Sequence, residues 1–270
     1  MSGLPTPSRT DLPAELGTSG APGQPAPQAS PPTPAAASRT LEELVRRARS
    51  LAAPGARRLL GIAGPPGAGK STLAASLVEA LGPRAALVGL DGFHLANAEL
   101  VRLGRRDRKG APDTFDAFGY LALLRRLLER PTEVVYAPRY TRELEEPIAG
   151  AVPVPPEVDL IVTEGNYLLL DNRPWRFLRD LLAETWYLDL DDATRVERLV
   201  ARHVRFGKTP AEAAAWVSRS DEANARLVAA TRAHADLVVR LSRRDLPQPR
   251  GTGTAPHEAV RSRGPGSATP

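Results

Sequence analysis

No stretch constrains this chain more than Gly64-Pro65-Pro66-Gly67-Ala68-Gly69-Lys70-Ser71. It fits the spacing G-x-x-x-x-G-K-S and follows directly on the apolar run Leu59-Leu60-Gly61-Ile62-Ala63. That run reads as a buried strand, and Leu73, Leu77, Val78 and Leu81 beyond it recur at helical spacing, so the glycines occupy a strand-to-helix turn. Gly64, Gly67 and Gly69 allow positive φ and let backbone N–H groups close on an anion with no side chain in the way. A helix opening near Lys70 adds unpaired N–H groups and the positive end of its dipole. Residues 64–72 (Gly64, Pro65, Pro66, Gly67, Ala68, Gly69, Lys70, Ser71 and Thr72) are therefore read as a cradle for a nucleoside triphosphate. In it Lys70 bridges the β and γ phosphates, Ser71 ligates Mg²⁺, and Thr72 sits nearer the α phosphate.

Strand and helix signals alternate through the rest of the middle. Thr40-Leu41-Glu42-Glu43 caps a helix whose apolar face is Leu41, Leu44, Val45, Ala48 and Leu51. Strands are expected over 85–90, 133–137, 158–163, 184–190 and 236–241. Helices are expected over 95–103, 116–130 and 193–206, with a long alanine-rich one from Thr209-Pro210 to about Ala233. The charged run 102–109 reads as a mobile loop, and residues 138–156, punctuated by proline, read as irregular. Such alternation predicts an α/β fold, doubly wound, with a mainly parallel sheet covered by helices on both faces.

The ends differ from the middle. Residues 1–39 are rich in Pro, Ala, Ser, Gly and Thr without periodicity, and 243–270 are similar, so both are expected to be disordered tails flanking a single domain over 40–242. The net charge of +5 is concentrated in the C-terminal tail, where five arginines face two carboxylates. The near-neutral middle has no basic helix interleaved with aromatics, which argues against nucleic acid as a partner. The absence of cysteine excludes disulfides, thiolate metal sites and cysteine nucleophiles together. No apolar run is long enough to span a bilayer and no leader pattern opens the chain, so a cytoplasmic location with no membrane partner is expected. A homodimer is compatible with everything above.

In doubly wound sheets ligands sit beyond the carboxyl ends of the strands. Two more strands end in acids: Asp91, followed by Gly92-Phe93-His94, and Glu164, followed by Gly165-Asn166-Tyr167. Asp91 is a candidate to take a proton from a substrate hydroxyl or to hold a metal through water. Glu164 is a candidate to orient Mg²⁺. Arg198, Arg202 and Arg205, on one face of a helix, are candidates to neutralise a moving phosphoryl group. His94, Arg139, Tyr140, Asn166 and Tyr167 lie just past strand ends, within reach of a substrate.

These segments together with Lys109-Gly110-Ala111-Pro112-Asp113-Thr114-Phe115-Asp116 and Pro138-Arg139-Tyr140 resemble the P-loop metabolite kinases, the group of uridine kinase, phosphoribulokinase and bacterial pantothenate kinase, over about residues 57–241. The resemblance implies a P-loop NTPase-type domain using ATP and Mg²⁺ to phosphorylate a hydroxyl on a small metabolite. It implies Asp91 as base, Lys70 and Arg202 as further catalytic groups, and a lid near residues 202–215. His94, Lys109, Arg139, Tyr140 and Asn166 would bind substrate, and Ser71 and Glu164 the metal. The chain departs from the uridine kinase pattern, Asp-Ser-Phe-Tyr, at Asp91-Gly92-Phe93-His94, and from the pantothenate kinase pattern, Tyr-Ser-His, at Tyr140-Thr141-Arg142. The rival expectation is a nucleotide-dependent switch that hydrolyses slowly with no acceptor, although no guanine-reading Asn-Lys-x-Asp is present.

Overall fold

The computed structural model describes residues 35–52 and 55–241. The stretch Thr40–Glu43 forms a reciprocal capping box that starts α1 (Leu41–Leu51), which buries Leu44 and Ala48. The apolar run before the glycines is β2 (Arg58–Ala63), buried at every residue after the first, and the glycine turn opens α2 (Lys70–Leu81). There follow β3 (Ala85–Gly89), α3 (Asn97–Arg102) and α4 (Ala117–Leu128), the last capped by the Asp116 carboxylate accepting from the Gly119 amide. Then come β4 (Val135–Thr141), β5 (Glu146–Val154), β6 (Leu160–Glu164) and β7 (Glu184–Leu188). The chain finishes with α5 (Asp192–Arg205), α6 (Pro210–Trp216), α7 (Glu222–Ala229) and β8 (Leu237–Leu241).

With β1 (Ala37–Arg39), six strands make one sheet in the order β1-β8-β7-β2-β6-β3, every pair parallel. Two apolar clusters cover its two faces. One packs α1 and α2 against Leu60, Ile62, Leu160 and Val162; the other packs α4 and the turns after β6 against Leu59, Val88 and Ile161. Alternate residues of the same strands feed opposite clusters, which is what burial on both faces of a parallel sheet requires. The chain leaves β2 for β3 on one side and later reaches β7 on the other. The order therefore switches beside β2, and a crevice opens there at the carboxyl ends of β2, β6 and β3.

Four differences from the sequence expectations have plain causes. Ala37–Arg39, placed by sequence in the disordered N-terminal tail, is an edge strand in register with Val239–Leu241; three residues carry too little pattern to be read. Residues 1–34 and 243–270 of the expected tails lie outside the described residues. The proline-punctuated stretch is β5, paired antiparallel with β4 as a separate two-stranded ribbon. Both strands of such a ribbon have a free edge, where proline's missing N–H leaves no ladder bond unmade.

The charged run 102–109 is pinned: the Arg108 and Arg106 guanidinium groups pair with Asp113 at 2.8 Å and Glu145 at 3.1 Å. The long alanine-rich helix is broken by a π turn at Val217–Asp221 and ends at Ala229. Among the described residues no helix is long and apolar enough to cross a membrane.

Candidate active site

The glycine turn has the backbone its sequence calls for. Gly67 and Gly69 have φ of 83° and 99°. Gly64, at φ 148°, passes so close to β7 that a β-carbon there would lie 2.7 Å from the Leu188 carbonyl oxygen. The turn delivers Lys70 buried. Its Nζ donates to the Pro65 carbonyl at 3.0 Å and to Asn166 Oδ1 at 2.7 Å. Burial lowers the Lys70 ammonium to a pKa of about 8, even though Glu164 and Asp91 pull the other way. Ser71 Oγ donates to Glu164 Oε1 at 2.9 Å. Burial first, then the charge of Asp91, hold the Glu164 carboxyl above the usual carboxylate range.

Asp91 sits in a tight turn after β3. His94 Nδ1 bonds the Asp91 carbonyl oxygen at 2.8 Å, and the imidazole lies between the rings of Phe115 (4.0 Å between centroids) and Tyr140 (4.8 Å). Burial is the main reason its pKa falls below the ordinary histidine value, so His94 is a neutral wall of the site. Gly92 lets the β4–β5 ribbon dock: a β-carbon there would be 2.5 Å from the Pro138 carbonyl oxygen. Lys109 Nζ donates to Asn97 Oδ1 at 2.6 Å and to the Glu145 carbonyl, and lies 5.3 Å from the Tyr140 ring centre. Tyr167 Oη donates to the Gly110 carbonyl, which holds the Lys109 segment over the crevice.

The reactive groups among these converge on one cleft of about 210 Å³. Pro66, Gly67, Lys70, Ser71, Asp91, His94, Lys109, Tyr140, Glu164, Asn166 and Arg202 all face it. Gly64, Pro65, Ala68 and Gly69 shape the turn from behind. Thr72 is exposed and outside the cleft lining. Arg139 is the expected substrate residue that the structure does not bring in: it is exposed on the outer face of the ribbon, reaching toward the Ala151 carbonyl at 3.5 Å. Arg142 lines the cleft instead. The β4–β5 register shifts between Ala137 and Arg139, a bulge that reverses the strand's phase: buried Ala137 is followed by an exposed Arg139 and a half-buried Tyr140, and Arg142 enters from the turn after the strand. Of the three helical arginines, Arg202 lines the cleft, Arg205 is exposed, and Arg198 reaches 3.9 Å from where a β-carbon on Gly69 would stand.

Sequence reasoning missed Asp221 and Asn224. Both line the cleft, and the Asp221 carboxylate meets His203 Nε2 at 2.9 Å. Their spacing of three in an alanine-rich stretch was the one available signal.

The family model described as Phosphoribulokinase / Uridine kinase family matches residues 59–246. The chain belongs to this family. A family protein from Schizosaccharomyces pombe, provisionally named a uridine kinase, is 32% identical over 210 residues, covering 74% of this chain and 89% of that protein. A pantothenate kinase from Nocardioides sp. is 32% identical over 162 residues, 56% of this chain and 49% of that one. A crystal structure from Silicibacter sp. TM1040, provisionally named a fructose transport system kinase, superposes with TM-score 0.68 at 38% identity, covering 74% of this chain and 98% of that one. The phosphoribulokinase/uridine kinase family thus carries the expected P-loop kinase fold, and membership places this chain among phosphotransferases and implies ATP binding.

Proposed function

We propose that the protein transfers the γ-phosphoryl group of ATP to a hydroxyl of a small metabolite. The observation that supports this best is the meeting of Lys70, Ser71, Asp91 and Glu164, from three strand ends, in one cleft. Slow hydrolysis alone needs no further cleft wall of the kind that His94, Tyr140, Lys109 and Asn224 make.

In this reading the acceptor hydroxyl approaches Asp91, which takes its proton. The acceptor oxygen bonds to the γ phosphorus while the bond to the β–γ bridging oxygen breaks, and ADP leaves with that electron pair. Lys70 and Arg202 offset the charge on the transferring group. Magnesium fits the same corner. Among the described residues no three His, Asp or Glu converge as a metal cage. Mg²⁺ in phosphoryl sites takes one or two carboxylates and completes its shell with phosphate oxygens and water. Ser71 and Glu164 are the groups that would hold it, and it would supply neutralisation of the triphosphate.

The acceptor classes in view are those of the relatives' names: nucleosides, pantothenate-like alcohols and sugars. The sugar class is favoured by the 38% identity to the protein named for a fructose transport system. The test is ADP release by the full chain with Mg²⁺ and ATP, with and without a panel of these acceptors. Acceptor-stimulated release that Asp91→Asn lowers about 10²–10⁴-fold, with ATP affinity kept, supports the proposal. Release indifferent to every acceptor points to a nucleotide switch.

A further inference from the structure

The cleft holds six cationic side chains against four carboxylates. Four of the cations are engaged: Lys70 with Pro65 and Asn166, Arg106 with Glu145, Lys109 with Asn97, and Lys208 over the Trp216 ring at 5.2 Å. Arg142 and Arg202 are the other two, and neither guanidinium has a hydrogen bond or an ion pair among the described residues. They enter from different elements. Arg202 stands in the last turn of α5. Arg142 follows β4, two residues past Tyr140, on the ribbon that the Gly92–Pro138 contact and the His94–Tyr140 stack lock against the Asp91 turn.

Burial, and then the neighbouring charge of Arg142, pull the Arg202 guanidinium below its ordinary pKa. Arg142 and Arg202 line the same cleft as Lys70, and the charge of each adds to the lowering of the Lys70 ammonium. Asp221, Asp91 and Glu164 offset that repulsion from a distance, but neither guanidinium is paired among the described residues, and an anion standing between two like charges relieves what is left.

We propose that Arg142 is a second catalytic arginine, gripping the γ-phosphoryl group from the ribbon side while Arg202 grips it from α5. This rests on the kinase reading above. The cationic surplus of two matches a magnesium-bound triphosphate, and Lys109, bound to the neutral Asn97 amide on the acceptor wall, remains for any negative charge on the acceptor. Arg142 therefore serves the phosphoryl group and not the acceptor. As the oxygen–phosphorus bond forms and the β–γ bridge breaks, its planar fork can donate two hydrogen bonds to the equatorial oxygens.

The first arm of the test needs no identified acceptor. The full chain is titrated with ADP, Mg²⁺ and aluminium fluoride, which together imitate the transferring phosphoryl group, and separately with a non-hydrolysable ATP analogue. Wild type binding ADP more tightly in aluminium fluoride shows that the cleft stabilises a transferring phosphoryl group; no such gain overturns this inference, while the kinase reading stands or falls separately on acceptor-stimulated ADP release. Given that gain, Arg142→Gln is expected to lose it by about 10²-fold and Arg142→Lys by about 10-fold, with analogue affinity falling by clearly less in each. Arg139→Gln, on the outer face, is expected to keep it. Arg142→Lys retains the charge and serves as the folded reference should Arg142→Gln unfold. Retention of the full gain by both Arg142 variants overturns the inference and leaves the kinase reading standing. So does a rise in acceptor KM with the gain and basal hydrolysis unchanged, which would move Arg142 to the acceptor.

Discussion

Ser71 and Glu164 stand 93 positions apart, yet the Ser71 hydroxyl donates to the Glu164 carboxylate at 2.9 Å. The contact joins the first turn of α2 to the end of β6, and it is set by sheet register: Ile62, just before the glycine turn, pairs with Glu164 itself. A hydroxyl and a carboxylate are the donor pair that Mg²⁺ takes at a phosphoryl site. Glu164→Gln keeps the shape and can still accept from Ser71 while removing the charge. It is expected to raise the Mg²⁺ concentration for half-maximal ADP release about 10–100-fold. A magnesium titration checks this, and an unshifted midpoint would take Glu164 out of the metal site.

Lys70 gives a pH signature. Its pKa is lowered to about 8 by burial, so above that pH the free protein carries it largely neutral. A triphosphate against the ammonium favours the charged form and raises the pKa again. Nucleotide binding at pH 8.5 is therefore expected to take up a proton from the buffer. Titration calorimetry in two buffers of different ionisation enthalpy reads that uptake directly. Lys70→Arg, which stays charged throughout, is expected to show none; equal uptake by both proteins would assign the proton elsewhere. The same shift makes the free protein gain stability with rising pH between about 8 and the ordinary lysine value of 10.5, because there the unfolded chain binds more protons.

Sequence sufficed for groups that local chemistry positions. Gly67 and Gly69 must take positive φ, and the strand ends at Asp91 and Glu164 follow from apolar runs that stop at an acid. What sequence hid were positions fixed by tertiary packing. The β4–β5 ribbon defeated the reading because its prolines suit a free edge and not a central strand. Arg139, expected at the substrate, turns outward because the strand bulges between Ala137 and Arg139, which no local pattern announces. Asp221 meets His203 because a π turn interrupts the helix there, and nothing in an alanine-rich run announces a π turn.

Gly92 tests how firmly the ribbon must seat. A β-carbon there would stand 2.5 Å from a backbone oxygen of β4, which no side-chain rotation relieves. Gly92→Ala must push the ribbon away from the Asp91 turn. Overpacking of this kind costs about 1–3 kcal/mol. Urea unfolding should show that loss, and the His94–Tyr140 stack should open with it. A stability change within about 0.5 kcal/mol would mean that the ribbon floats on its neighbours instead of bracing the site.

Arg195 carries the last prediction. Its side chain is 1% exposed and bonds Asp192 at 3.0 Å and Glu222, tying α5 to α7, while one terminal nitrogen, Nη1, has no hydrogen-bond partner among the described residues. Its backbone lies directly beneath the glycine turn: a β-carbon on Gly67 would be 2.9 Å from the Arg195 carbonyl oxygen. Breaking a buried pair by removing one partner costs about 3–5 kcal/mol. The Glu222 side chain is 27% exposed and can turn to water, so Arg195→Met is expected to cost less, about 1–3 kcal/mol. Methionine also removes the desolvation of the orphan Nη1. The double variant Arg195→Met/Glu222→Gln should therefore be more stable than the sum of the two single changes, by about 1 kcal/mol or more. Urea unfolding of all four proteins measures that coupling. Strict additivity would show that Glu222 does not hold Arg195 beneath the cradle, and would leave Asp192, itself 85% exposed, as the weaker anchor.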